Sequence, residues 1–154
     1  MTENLTIVNF RARTASRSRI LGIDYGTKKI GLSISDRAKI IASPYDTIIR
    51  SSLTRDIEAI IDIIRENDIG AIVFGYPVES SGHAGGACAA VDKFCQQLTA
   101  KIDLPYFLQD ERLSTSAVRH ILNETNLSRQ KKDALDDKMA ACYILQIVLD
   151  MMAR

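Results

Sequence analysis

With 154 residues, 46% of them apolar, and a formal charge of +1, the sequence has length for one domain around a single core. The near-neutral charge excludes a globally basic nucleic-acid coat, so any affinity for phosphate has to come from local clusters of Lys and Arg. Three cysteines with no CxxC pair and two distant histidines speak against zinc, and no apolar run suits a membrane span or a secretory signal, so a cytoplasmic protein is expected.

Residues 1–18 carry Arg11, Arg13 and Arg17 among Ser and Thr with little periodicity, which predicts a flexible N-terminal extension ahead of a domain spanning 19–154. Ile20, Leu21, Gly22 and Ile23 then form the continuous apolar run of a strand covered on both faces, and Asp24 interrupts it. A carboxylate there is costly unless a cation or a set of hydrogen-bond donors meets it. Residues 25–29 make a turn, after which Ile30, Leu32 and Ile34 alternate with Gly31, Ser33 and Ser35 as a second strand. A third strand, 39–50, is expected to be interrupted around Pro44, which confines it to a sheet edge or a bend.

Leu53, Ile57, Ile60, Ile61 and Ile64 recur at helical spacing, with Arg55, Asp56, Glu58, Asp62 and Arg65 read as outward. A short buried strand over 71–74, a loop rich in Gly and Pro, and a helix over 87–101 follow, the helix turning Cys88, Val91, Phe94, Cys95 and Leu98 inward. The strand 105–109 runs straight into Asp110, Glu111 and Arg112. A helix is expected over 114–123, then a polar connection, then a helix from Asp133 to the end through Leu135, Met139, Cys142, Tyr143, Ile147 and Leu149. Three hairpin-linked strands followed by helix–strand crossovers predict an α/β architecture, a mixed sheet with helices on its faces.

Such a sheet could gather three acids: Asp24 ending the first strand, Asp110 or Glu111 ending the last, and Asp136 or Asp137 opening the final helix. Asp137 shares a helix face with Ala140, Ala141 and Ile144, and the two alanines let the helix approach the sheet closely, which favours Asp137 as the inward acid. Carboxylates held together repel unless a hard divalent cation lies between them, so Mg²⁺ or Mn²⁺ is the natural cofactor. Two such ions would support phosphodiester hydrolysis. Lys28, Lys29, Arg112, Arg129, Lys131, Lys132 and Lys138 flank these acids as candidate phosphate contacts.

These residues lie in four motifs: GIDYGTKKIGLSISD at 22–36, VFGYPVESSG at 73–82, DERLST at 110–115 and DDKMAACYILQ at 136–146. In that order and at those separations the sequence resembles the YqgF family of Holliday-junction-resolvase-like proteins, over nearly the whole chain from Ile20 onward. The resemblance implies a ribonuclease H-like fold with a five-stranded mixed sheet and helices on both faces. It also implies Asp24, Glu111 and Asp137 as catalytic and metal-holding acids, and metal-dependent hydrolysis of RNA in maturation of the 16S rRNA precursor. Lys29 stands where the family usually has Arg, keeping the charge without the bidentate grip, and Glu79 replaces a common amide.

Three other functions compete. A Holliday-junction-type DNA resolvase would use the same acids. A non-catalytic RNA- or ribosome-binding module would use only the basic clusters, with Lys131 and Lys132 setting the salt dependence. An ATP-using enzyme is suggested by Asp-Tyr-Gly-Thr followed by Gly31, which resembles the phosphate loop of sugar kinases and actin-like ATPases. Those proteins clamp nucleotide between two such domains, and this sequence has length for one.

Overall fold

The computed structural model describes residues 5–77, 85–110 and 129–154, the stretch 129–137 as backbone only. Within them run α1 (Ile7–Arg13), β1 (Arg19–Tyr25), β2 (Lys29–Ser35), β3 (Ala42–Ile49), α2 (Leu53–Glu66), β4 (Ile69–Tyr76), α3 (Gly86–Lys101), β5 (Tyr106–Asp110) and α4 (Arg129–Met152). The five strands form one sheet in the order β3-β2-β1-β4-β5. β1 pairs antiparallel with β2 and parallel with β4, β2 pairs antiparallel with β3, and β4 pairs parallel with β5. The mixed α/β sheet expected from the hairpin-then-crossover order is therefore present.

Strand alternation splits the core into two layers. Leu21, Ile23, Ile72, Phe74 and Tyr106 join the apolar stripes of α2 and α3 on one face. Ile20, Ala71 and Val73 join Ile144, Leu145, Val148 and Leu149 of α4 on the other. Both faces of the central strands are thus covered, which is why β1 and β4 read as continuous apolar runs.

Several local expectations change. The part of the N-terminal stretch described is no loose extension, because it forms α1, capped by Thr6 and anchored by Phe10. The Phe10 ring is fully buried 5.7 Å from that of Phe107. Burial of that one aromatic outweighs the polar composition around it. β3 runs unbroken through Pro44 at the sheet edge, its register shifting between Leu32 and Ser33. Asp56 is buried, accepting from the backbone N–H and the hydroxyl of Ser51 (3.1 and 3.3 Å), so it closes the N-terminus of α2 instead of facing water. Tyr143 is exposed, and α4 begins at Arg129, ahead of the expected Asp133. The helix expected over 114–123 lies outside the described residues.

Candidate active site

The parallel strands β1, β4 and β5 end together at Tyr25, Tyr76 and Asp110, the edge where α/β sheets leave a crevice. Asp24 stands at that end of β1, half-buried and paired with Gly31 of β2. By alternation it shares the α4 face with Ile20 and Gly22. Asp110 reaches the same edge but alternates with Tyr106 and Leu108, which pack on the α2/α3 layer, so it lies on the opposite face from Asp24.

The seating of α4 sets which part of the helix backbone runs alongside the Asp24 end of β1. At Gly22 the helix comes so near that an added Cβ would lie 3.0 Å from the Leu145 Cβ and 3.1 Å from the Ala141 carbonyl oxygen, and would collide with the Ser33 hydroxyl. Ser33, fully buried, donates to that same carbonyl at 2.7 Å. Further along, Gln146 accepts from the Ala42 N–H and donates to the Ile40 carbonyl, each at 2.9 Å, and the Cys142 thiol donates to the Ala42 carbonyl at 3.2 Å. Gln146 thus sits level with the start of β1 and Ala141 level with its middle. Going back one further turn, residue 137 of the helix backbone lies toward the Asp24 end.

Lys28, exposed, and Lys29, half-buried, occupy the turn immediately after Asp24. Lys138 is half-buried in α4. Glu111 and Arg112 lie outside the described residues, as do the side chains of Lys131, Lys132 and Asp137. Among the described residues no group of three or more His, Cys, Asp or Glu could hold a metal ion. Asp24 is the one member of the proposed acid triad whose side chain is described, and a carboxylate at the crevice end of β1 is an oxygen donor of the kind hard divalent cations take.

Burial pushes the Cys95 thiol up to about 12 and raises that of Cys142, which makes both protonated packing groups and poor nucleophiles. The Tyr76 hydroxyl is also pushed up to about 12, first by burial and then by the Asp92 carboxylate to which it donates at 3.1 Å. It is a neutral donor tying the end of β4 to α3. Sequence reasoning also passed over Arg50, at the β3–α2 junction, which reaches the turn after Asp24. Its one visible signal was an arginine standing just past an edge strand.

A profile of the RuvX family, described as Holliday junction resolvase, matches residues 18–151. The chain belongs to that family. Among relatives of this RuvX chain, a protein of Paramagnetospirillum magneticum is 45% identical over 86% of this chain and 85% of its own length. One from Methylocella silvestris is 41% identical over 99% and 94%. Both bear the name "Putative pre-16S rRNA nuclease". Solved structures resemble it in fold: Thermus thermophilus RuvC, with TM-score 0.53 at 12% identity over 88% of this chain and 97% of that one, and the fowlpox virus Holliday junction resolvase, with TM-score 0.54 at 12% over 86% and 99%. The RuvX chain therefore has the ribonuclease H-like fold that its motifs imply.

Proposed function

We propose that this protein is a divalent-metal-dependent nuclease that hydrolyses phosphodiester bonds in RNA, processing the precursor of 16S rRNA in the cytoplasm. The observation that carries the reading is Asp24. It is a carboxylate delivered by a buried strand to the crevice edge of a ribonuclease H-like sheet, in a chain whose relatives are named for pre-16S rRNA cleavage. Asp24, Glu111 and Asp137 would hold Mg²⁺ or Mn²⁺, as one ion or two. When bound, the metal would polarise the phosphodiester and lower the pKa of an attacking water.

The chain's own basic residues do the rest. Lys28 and Lys29, on the turn beside Asp24, contact backbone phosphates next to the scissile bond, with Arg112, Lys131 and Lys132 proposed as further phosphate contacts. Such contacts fix the position of the strand without reading its sequence. Branched DNA is the competing substrate, favoured by the family description.

The test is cleavage of a labelled precursor-type RNA and of a four-way DNA junction in Mg²⁺, Mn²⁺ and EDTA, with Asp24→Asn alongside. RNA cleavage is expected to require the metal and to fall by more than about a hundredfold in the variant at unchanged thermal stability. Full activity in Asp24→Asn would remove it from the site. Cleavage of the junction alone would make the protein a resolvase.

A further inference from the structure

We propose that Arg50 is a positioning residue of the active edge: it fastens the turn between β1 and β2, and so fixes where Asp24, Lys28 and Lys29 stand. This rests on the nuclease reading for its consequence and on geometry for its substance. One residue takes three consecutive carbonyls of the turn. The Arg50 guanidinium donates through Nη1 to the oxygens of Gly26 and Thr27, at 3.1 and 3.0 Å, and its backbone N–H donates to the oxygen of Lys28 at 2.9 Å.

The same guanidinium lies over the Tyr25 ring, 4.4 Å from its centroid. Tyr25 in turn stacks on Phe94 of α3, with centroids 4.4 Å apart and planes 28° from parallel, and Phe94 is fully buried. A column of cation, phenol and phenyl ring thus roots the turn in the core. It begins at the residue directly after Asp24.

The turn is tight. Its Gly26 N–H donates to the Lys29 carbonyl at 2.9 Å, and a Cβ on Gly26 would stand 2.7 Å from that oxygen. With the Lys28 carbonyl met by the backbone of residue 50, the Gly26 and Thr27 carbonyls still need a donor, and a planar guanidinium can bind both while stacking on a ring. A lysine ammonium has no flat face to stack on the Tyr25 ring while it donates, so lysine is no conservative replacement here. Without the guanidinium the β1–β2 ladder and the backbone bond from residue 50 to the Lys28 carbonyl persist, but the Gly26 and Thr27 carbonyls swing to water. The lysines then lose their fixed aim, and the end of β1 loses its brace.

The experiment uses the full chain with Arg50→Ala and Arg50→Lys, read by amide hydrogen exchange and by cleavage of the labelled RNA. Exchange at Gly26 is expected to quicken about tenfold or more in both variants while Ile23 and Leu32 stay protected. At saturating RNA, kcat is expected to fall about tenfold or more with KM changed less than about threefold. Millimolar guanidinium should restore part of the kcat of Arg50→Ala, which a loss of global stability would not allow. Unchanged exchange at Gly26 overturns the fastening. Unchanged kcat, or a loss that follows the unfolded fraction and ignores guanidinium, overturns the positioning role. Should the native protein cut neither RNA nor junction, the nuclease reading fails by itself, and the exchange at Gly26 alone decides whether Arg50 holds the turn.

Discussion

The two faces of the sheet are built differently. Toward α2 and α3 the contacts are broad and apolar, with isoleucines from one helix and Val91, Phe94 and Leu98 from the other meeting Leu21, Ile23, Ile72 and Phe74. Toward α4 the approach is close, made by Gly22, Ala140 and Ala141, and it is pinned by side-chain hydrogen bonds from Ser33, Cys142 and Gln146. Apolar contact is non-directional and tolerates sliding, whereas a hydroxyl donating to one particular carbonyl fixes a register. Apart from the Phe94–Tyr25–Arg50 column, the first face supplies stability, and the second supplies the placement of α4 against β1. Placement is what the proposed sharing of a site between Asp24 of β1 and Asp137 of α4 would require.

The largest loss of stability is expected at Leu98, on the apolar face. Leu98→Ala should cost about 2–5 kcal/mol in chemical denaturation yet leave cleavage per folded molecule unaltered, since the cavity opens in the α2/α3 layer, on the opposite face of the sheet from Asp24. A large loss of specific activity would mean that the two faces are not separable. Gly22→Ala should cost less, about 1–3 kcal/mol, because α4 must retreat from the sheet. Here cleavage should fall further than stability accounts for, and equal proportional losses would contradict the placement role. Ser33→Ala removes one buried donor, with an expected cost of about 1 kcal/mol. A double-mutant cycle with Gly22→Ala should show coupling between the two, and strict additivity would deny a shared contact.

The smallest effect is a matter of pH. Asp36 accepts from the Ile41 and Ile40 N–H groups at 3.0 and 2.7 Å, in the hairpin where Gln146 binds the Ile40 carbonyl. The Ile41 amide foremost holds its carboxyl below the usual value, against a smaller opposing effect of desolvation. A depressed carboxyl contributes stability above its unfolded pKa, 3.8, that is lost as pH falls through the folded value. Asp36→Asn should therefore flatten the stability curve slightly below pH 4, and only slightly, because solvent screens so exposed a group. An identical acid limb in both proteins would exclude Asp36 from that dependence.

Much of the fold was readable because periodicity carries it. The inward stripe of α3 emerges residue for residue, and the Ala140, Ala141 and Ile144 face of α4 is buried as its spacing requires. Misreadings arose where residue type outvoted position. Asp56 falls on the apolar face of α2 with Leu53 and Ile60, yet its charge suggested solvent, and the two serines before it, which supply its partner and the helix cap, were the missed clue. α1 is seven residues long, too short for a pattern to declare itself, so only the burial of Phe10 reveals it. At the candidate site, Asp24 could be singled out because an acid ending an apolar run is conspicuous. Arg50 could not, because its importance lies in reaching back across a hairpin, which no local pattern encodes.

The edge of the sheet carries a further consequence. β3 is the outermost strand on its side, and an outermost strand offers its backbone to any other extended chain it meets. Pro44 withholds an N–H midway along it, Asp46 sets a charge on its exposed surface, and the shifted register twists it out of line. These features discourage two copies from joining edge to edge. The same proline that looked like a break in the strand serves as a guard against aggregation.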